Sequence, residues 1–277
     1  MIVAPGKLVL VGEYAVVDGA PAIVAAVDRG VRCDVEPGSG IVTPGDDRFV
    51  RAALLGAPPG RYVFSDANPV DLAGAKAGFG GSAAATVAAV LAGGLPPRRA
   101  YEVHAAVQGG GSGIDVFASL LGGVRRFRDG AVVRSPPFVA VWSGASASTG
   151  PRVQAFRAWA GRAGFVARSR ALVEAFPTDP LPVIRAAYAE LRAMAEAAGI
   201  AYDTPALARI AVLADAFGGA AKPSGAGGGD VAVAFFPDPD RLAAFAAAAR
   251  SEGLLPIPVT VAEGAWTGPL ADALPPG

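Results

Sequence analysis

Residues 76–86 are KAGFGGSAAAT, a glycine-rich loop that runs directly into an apolar segment. Glycines at 78, 80 and 81 allow the main chain to wrap around an anion, and a helix N-terminus adds partial positive charge. The apolar residues after Ser82 predict a buried helix, which ends before Pro96–Pro97. Ser82 is placed to cap this helix, or to reach a magnesium ion or a phosphate oxygen. The stretch therefore predicts a phosphate-binding loop.

Two other kinds of phosphate-binding loop share parts of this pattern. G-x-G-x-x-A at 78–83 also resembles a dinucleotide fingerprint, which requires a preceding strand and an acidic residue about twenty positions later. No strand pattern precedes the loop, and no acid occurs between Asp71 and Glu102, so this alternative is weaker. A Walker loop is excluded because the only Gly-Lys pair, Gly6-Lys7, is followed by leucine rather than serine or threonine.

The chain contains only three lysines, and each lies beside a glycine-rich stretch. They occur in APGKLVLVGEYAVV (4–17), KAGFGGSAAAT (76–86) and AKPSGAGGGDVAVAF (221–235). A lysine is a compact, movable ammonium, whereas arginine presents a planar fork. We interpret Lys7, Lys76 and Lys222 as markers of a site for a multiply phosphorylated ligand; the alternative is coincidence in a chain with few lysines.

Composition excludes several classes of protein. The 52% hydrophobic content supplies a large core, and the formal net charge of 0 gives no indication of a nucleic-acid or membrane partner. Cys33 is the only cysteine, which excludes a disulfide framework or a thiolate metal site. The N-terminus lacks a signal-peptide pattern, and the apolar run at 83–92 is too short to span a bilayer. We therefore expect a cytoplasmic location.

The hydrophobic pattern predicts a chain of mixed helices and strands, with a domain boundary at Pro136–Pro137. In the amphipathic helix at 98–108, Tyr101 and Ala105 are expected to face inward. The predicted strands lie at 7–11, 22–35, 61–65, 132–135, 139–142, 230–236 and 257–261. The other predicted helices lie at 47–55, after residue 82, after the GSG at 111–113, and at 152–176, 182–198, 205–217 and 240–252.

The three lysine-bearing stretches, in this order, resemble the three signature motifs of the GHMP kinases. Within that superfamily, four details are similar to the phosphomevalonate kinases: Tyr14 in GEYAVV, the pattern K-x-G-x-G, QGGGSGIDVFASLLGG at 108–123, and VWSGASAST at 141–149. The resemblance implies a two-domain α+β fold. It has an N-terminal ribosomal-protein-S5-like α/β domain at 1–137 and a C-terminal ferredoxin-like α+β domain at 138–277. The second motif departs from the usual GLGSSA, because Gly81 replaces the first serine.

The resemblance implies an ATP-dependent kinase that uses Mg²⁺. Its acceptor would be 5-phosphomevalonate, a phosphorylated hydroxy acid, and its product 5-diphosphomevalonate. Mevalonate kinase or another GHMP kinase is the alternative activity, and a non-enzymatic sensor built on the same fold is a third. The protein would be a monomer or a homodimer.

The resemblance also assigns residues to the site. Lys7 and Asp115 would be catalytic, with Asp115 acting either as a base or as an orienting charge. The expected ATP-binding residues are Lys76, Gly78, Gly80, Gly81, Ser82 and Ala83, with Ser82 also a metal ligand. The expected acceptor-binding residues are Lys7, Tyr14, Ser112, Ser148, Ser224, Gly225 and Ala226. His104 lies near the position where several GHMP kinases carry a magnesium-binding glutamate; the alternative for it is a helix-face histidine with one hydrogen bond.

Overall fold

The computed structural model describes residues 1–73 and 75–276. Two β-sheets, each covered by helices, account for most of these residues. The strands are β1 (Ile2–Val11), β2 (Ile23–Glu36), β3 (Gly40–Val42), β4 (Arg61–Ala67), β5 (Val124–Arg126), β6 (Phe138–Trp142), β7 (Ala220–Pro223), β8 (Val231–Phe235) and β9 (Leu255–Ile257). The helices are α1 (Arg48–Ala53), α2 (Gly81–Ala92), α3 (Arg99–Gln108), α4 (Ile114–Leu121), α5 (Thr149–Ala158), α6 (Arg162–Ala175), α7 (Pro180–Ala198), α8 (Pro205–Ala216), α9 (Pro239–Ser251) and α10 (Leu270–Ala273).

The first sheet is organised around the long strand β2. One edge of β2 pairs antiparallel with β1, in a register that sets Lys7 opposite Ala26. Its other edge pairs with β5 at one end and with β4 at the other, and β3 adds a parallel strand to β4. Side chains of β1 alternate between the two faces, so Leu8 and Leu10 point away from Val9.

The second sheet has the strand order β7-β8-β6-β9, and every pairing in it is antiparallel. Its apolar residues occupy both faces, since the sheet is buried between helices and the first sheet. Val231, Val233 and Phe235 meet Leu8 and Leu10 in a core that the two sheets share. The opposite face packs against α8 and α9.

The face of the first sheet that points away from the second sheet is covered by α2 and α4. Val87 of α2 and Phe117 of α4 are fully buried and pack in one core with Val9 and Val24. Burial of apolar surface contributes about 25 cal/mol per Å². This packing fixes the positions of both helices, and the start of each lies next to Lys7 of β1.

The C-terminal residues return to the first sheet after the second sheet is complete. Val261 forms a bridge with Val27, and the Ala273 carbonyl accepts a hydrogen bond from the Tyr101 hydroxyl at 2.8 Å. The strands of the first sheet all precede residue 137 in the sequence, and those of the second sheet all follow it. The returning segment, however, follows residue 137 and contacts the first sheet. The division into 1–137 and 138–277 therefore stays a prediction.

Most predicted elements are confirmed, but two predicted strands and one predicted helix need correction. The strand predicted at 132–135 is wrong: Val132 makes only an isolated bridge to Arg125 of β5. The helix predicted at 152–176 is two helices, because α5 ends at Ala158 and α6 begins after Gly161. The last strand ends at Ile257, before Pro258, which has no N–H group to continue the ladder.

One inward-facing residue of α3 was also predicted incorrectly. The helix buries Ala100, Tyr101 and His104, whereas Ala105 is exposed. The buried stripe is centred on Tyr101 and His104, which are three residues apart and therefore share a face. None of the described helices is both long and apolar enough to span a membrane.

Candidate active site

Lys7 and Asp115 lie together beside β1, an edge strand of the first sheet. Lys7 is carried by β1 and Asp115 by the first turn of α4, and Lys7 Nζ is 3.7 Å from Asp115 Oδ1. The lysine side chain is 10% exposed and the aspartate side chain 30% exposed, so the carboxylate is the more accessible partner. A partly buried pair of this kind is screened by solvent less than a surface pair. The two residues expected to be catalytic are therefore adjacent.

The loop before α2 rests directly on Lys7. The Lys7 amide donates to the Phe79 carbonyl at 2.8 Å, and Lys7 Nζ donates to the Gly78 carbonyl at 3.4 Å. Gly80 has φ +77, and a Cβ built there would lie 3.1 Å from Lys7 Cγ and 3.4 Å from Asp115 Oδ2. Glycine is required at this position because it gives both the left-handed backbone and the close approach.

The start of α2 has the features of an anion site. Gly80 occupies the N-cap position, and no side chain among the described residues caps the helix. The amides of Ala83 and Ala84 bond to the Gly80 carbonyl, whereas Gly81 is exposed with open space around it. The first amides of a helix carry partial positive charge. This end of α2, beside the Lys7–Asp115 pair, can accept a phosphate group.

Ser82 makes a contact that the sequence did not predict. Its hydroxyl lies 3.2 Å from His104 Nε2 of α3, and the His104 ring packs against the Phe49 ring with centroids 5.3 Å apart. Burial lowers the pKa of His104, and the charge of Asp115 opposes this shift. His104 is therefore neutral near pH 7 and orients the Ser82 hydroxyl.

The oxygen atoms of this region fit magnesium chemistry. Mg²⁺ is bound through one or two protein oxygens together with phosphate oxygens and water. Ser82 and the part-exposed carboxylate of Asp115 are oxygen donors at the phosphate end of the site. No group of three or more His, Cys, Asp or Glu that could hold a metal occurs in residues 1–73 and 75–276.

The third glycine-rich loop, residues 224–229, is fastened to the first motif by side chains. The Ser224 hydroxyl accepts from the Val9 amide at 2.9 Å and donates to the Val9 carbonyl at 3.2 Å. The Tyr14 hydroxyl donates to the Ala226 carbonyl at 2.7 Å, and burial raises the pKa of Tyr14, so it keeps its proton. These hydroxyls hold the loop, while Gly225 has open space around it.

Lys222 does not face the loop, and its interpretation as a phosphate-site lysine is wrong. Its side chain is fully buried and forms an ion pair with Glu13. Burial lowers the pKa of Lys222, and the charge of Glu13 opposes this shift. A buried pair of this kind joins two distant segments and makes no contact with solvent. The lysine argument therefore fails for Lys222, whereas for Lys7, which lies beside Asp115 and the loop before α2, it stays a prediction.

The remaining predicted residues lie around these loops. Lys76 is exposed, and its backbone bonds to Ser146. Ser112 accepts a hydrogen bond from the Ile114 amide at 3.3 Å and so supports the start of α4. Ser148 is exposed at the N-cap position of α5, and its carbonyl accepts from Arg152.

Sequence reasoning missed two charged residues of the region, Asp230 and Arg152. Asp230 follows the glycines of the third loop and packs against Gly78, where a Cβ would lie 2.7 Å from its carboxylate. Arg152 lies against Gly228 and adds a cation near the loop. The acid that ends the run Gly-Gly-Gly-Asp was the one available signal, while nothing near Arg152 in the sequence marks it.

Comparisons with known proteins identify the family of the chain. Residues 183–254 match the family described as GHMP kinases C terminal. The phosphomevalonate kinase of Streptomyces sp. (strain CL190) is 30% identical over 359 aligned positions, which cover 94% of this chain and 96% of the relative. A solved structure of the Lin0012 protein from Listeria innocua has a TM-score of 0.83 at 24% identity, covering 95% of this chain and 97% of that one. The Streptococcus pneumoniae phosphomevalonate kinase, in complex with phosphomevalonate and AMPPNP, has a TM-score of 0.72 at 17% identity, covering 94% and 98%.

The fold and the similarity together define a phosphotransferase. The chain belongs to the GHMP kinases, and the expected two-domain α+β fold of that family is confirmed. The alignment with the Streptomyces relative is longer than this chain, so the relative contains insertions that this chain lacks.

Proposed function

We propose that this protein transfers the γ-phosphoryl group of ATP to the phosphate of 5-phosphomevalonate, giving 5-diphosphomevalonate. The observation that carries the reaction type is the Lys7–Asp115 pair, 3.7 Å apart beside the loop at the start of α2. The choice of acceptor is supported by the 30% identity to a phosphomevalonate kinase across 94% of the chain. This activity belongs to the mevalonate pathway of isoprenoid precursor synthesis.

The nucleotide end of the site comprises Lys76 and the start of α2. We assign the β- and γ-phosphates of ATP to the amides of Gly81 and Ser82 and to the Ser82 hydroxyl, with Gly78 and Gly80 shaping the loop around them. Ala83, expected to bind ATP, supports the start of the helix instead, because its amide is bonded to the Gly80 carbonyl and its side chain is buried. Positive φ angles at Gly78 and Gly80 turn the main chain around this space. The exposed ammonium of Lys76 is a point charge that can follow a phosphate during binding.

The acceptor end lies at the third loop and the start of α5. Ser148 is exposed there. We assign the backbone N–H groups of Gly225 and Ala226 to the acceptor phosphate, since Gly225 has open space around it. Tyr14 and Ser224 contribute by fixing the loop, since their hydroxyls are hydrogen-bonded to Ala226 and Val9. A site for two anionic substrates needs several cations and N–H donors, because each unpaired anion costs solvation energy.

Phosphoryl transfer needs alignment and charge neutralisation more than covalent chemistry. Lys7, held between Asp115 and the Gly78 carbonyl, stabilises charge on the transferring group. Asp115 orients the acceptor phosphate oxygen or takes a proton from it. Mg²⁺, when bound, neutralises phosphate charge, and Ser82 is the residue that we assign to it.

Initial rates of ADP release with four acceptors test the proposal. The purified protein is given ATP and Mg²⁺ with phosphomevalonate, mevalonate, homoserine or galactose in parallel. We expect the highest kcat/KM with phosphomevalonate. A higher value with mevalonate would assign the protein to the mevalonate kinases, and ADP release with none of the four would favour a non-enzymatic ligand-binding role.

A further inference from the structure

The segment at 143–148 leads into α5 and contacts residues 76–80. We call residues 76–80 the nucleotide loop, because the proposed function assigns ATP to them. Within it, the Ser146 hydroxyl makes two hydrogen bonds to the backbone of Lys76. It accepts from the Lys76 amide at 3.2 Å and donates to the Lys76 carbonyl at 3.0 Å. One side chain thus satisfies both backbone groups of a residue 70 positions away. The loop at Lys76 and this segment are therefore joined directly by hydrogen bonds.

Asp230 holds the same segment from the other side. Its Oδ1 accepts from the Ala147 amide at 3.0 Å, and its own amide donates to the Ala145 carbonyl at 2.7 Å. The Ser143 amide donates to the Asp230 carbonyl at 3.0 Å. The backbone of Asp230 is left-handed, with φ +56, a conformation that non-glycine residues adopt mainly when surrounding contacts impose it.

Asp230 also contacts the nucleotide loop directly. A Cβ built at Gly78 would lie 2.7 Å from Asp230 Cβ, Cγ and Oδ2, so the carboxylate fills the space that a side chain at Gly78 would occupy. Lys7 and Arg152 are the cations near it, and burial raises the pKa of Asp230 against their effect. The nucleotide loop therefore makes two contacts with this region. Its Gly78 touches Asp230, and its Lys76 is hydrogen-bonded to Ser146.

We propose that Ser146 and Asp230 are positioning residues that join the nucleotide loop to the segment at 143–148, so that nucleotide and acceptor each strengthen the binding of the other. The proposal rests on the proposed function, which assigns ATP to residues 76–83 and the acceptor to Ser148. A ligand that orders one of two connected segments lowers the entropy cost of ordering the other. By thermodynamic linkage the effect is equal in both directions.

Calorimetric titration of phosphomevalonate, with and without saturating ADP, measures this coupling. In the wild-type protein we expect ADP to lower the Kd of phosphomevalonate by about fivefold or more, which is the lower end of typical coupling between sites. In Ser146→Ala the ratio falls toward one. Ser143→Ala is the matched control: among residues 1–73 and 75–276 the Ser143 hydroxyl bonds within the segment alone, to the Ala145 carbonyl, so the ratio should stay at its wild-type value.

Two substitutions at Asp230 separate a hydrogen-bonding role from a purely electrostatic one. Asparagine keeps an oxygen for the Ala147 amide and tolerates the left-handed backbone, so Asp230→Asn should retain the coupling. Asp230→Ala should lose it. If Asp230→Ala does not fold, Ser146→Ala still decides the question. Wild-type coupling in Ser146→Ala, equal loss in Ser143→Ala, or no coupling in the wild-type protein would each overturn the proposal.

Hydrogen–deuterium exchange with ADP alone separates this proposal from the acceptor assignment. ADP should slow exchange at the amides of 143–148 in the wild-type protein, and Ser146→Ala should abolish that protection. If phosphomevalonate fails to bind while ADP still protects the segment, the proposed acceptor is wrong and the connection stands. If ADP leaves exchange at 143–148 unchanged in the wild-type protein, the connection is wrong.

Discussion

A methyl group added at Gly80 would meet both side chains that we propose as catalytic. In Gly80→Ala the new Cβ would lie 3.1 Å from Lys7 Cγ, 3.2 Å from Lys7 Cε and 3.4 Å from Asp115 Oδ2. These distances to Lys7 are tighter than ordinary contacts, so Lys7 must move by a few tenths of an ångström. The same substitution places alanine at φ +77, in the left-handed region.

Both effects have estimable sizes. A left-handed backbone costs a non-glycine residue about 1–2 kcal/mol, and overpacking adds about 1 kcal/mol, so the free energy of unfolding should fall by about 2–3 kcal/mol. Misplacement of a reacting group by about 1 Å can reduce the rate about 100-fold. For the smaller shift expected here, kcat should fall by about tenfold or more.

Another glycine of the same helix region provides a control. Gly94, just beyond the C-terminus of α2, has φ +65 and no atom within 4 Å of its Cβ position. Gly94→Ala should therefore lose about 1–2 kcal/mol of stability and keep the wild-type kcat.

Denaturant unfolding and steady-state ADP release measure these changes in both variants. The result expected is a large fall in kcat for Gly80→Ala alone. Wild-type kcat in a folded Gly80→Ala protein would refute the reasoning, as would an equal fall in Gly94→Ala.

Four further predictions concern single sites. Asp115→Asn should lower kcat by about 100-fold or more, the usual contribution of a proton-transfer or orienting carboxylate, while the melting temperature stays near its wild-type value. Ser148→Ala should raise KM for phosphomevalonate about tenfold, through loss of one charge-assisted hydrogen bond of about 1.5 kcal/mol, and leave KM for ATP unchanged. The pKa of His104 is lowered from 6.5, so the unfolded chain binds more protons just below pH 6.5; unfolding free energy should fall as pH drops through that window, and less steeply in His104→Gln. Lys222→Met leaves the buried carboxylate of Glu13 unpaired and should cost about 3–5 kcal/mol in urea unfolding, and adding Glu13→Gln should recover part of this loss.

Each of these predictions has a contrary outcome. Unchanged kcat in Asp115→Asn would remove that residue from the mechanism, and equal changes of both KM values in Ser148→Ala would indicate a structural role. An identical pH dependence of stability in His104→Gln would assign the acid sensitivity to other groups. A double variant less stable than Lys222→Met would show that the cost does not come from an unpaired carboxylate at Glu13.

Local pattern was sufficient for much of the fold. The helix after Ser82 is apolar on every face, and its glycine start and proline end are both in the sequence, so α2 was predicted closely. Strand β5 was missed because it has three residues, two of them arginine, and is defined by its pairing with β2. Its neighbour Val132 looks like part of a strand, yet only one residue pairs there.

The sequence indicated the members of the candidate site that lie in short motifs. The Gly78–Ser82 loop, Lys7 and Asp115 each lie in a glycine-bordered stretch with a distinctive composition, and the structure brings them together, while their roles stay predictions. The contacts that fix these motifs were not predictable. Glu13 pairs with Lys222 across 209 positions, and no local pattern encodes a partner at that distance.

The central claim is that the Lys7–Asp115 site places a second phosphoryl group on a substrate that already has one. Phosphorus NMR of a reaction with ATP, Mg²⁺ and 5-phosphomevalonate tests it most directly. We predict that the phosphomonoester resonance disappears as two coupled diphosphate resonances of the product appear alongside those of ADP. A phosphomonoester resonance that persists, while mevalonate under the same conditions is converted to a monoester, would contradict the account.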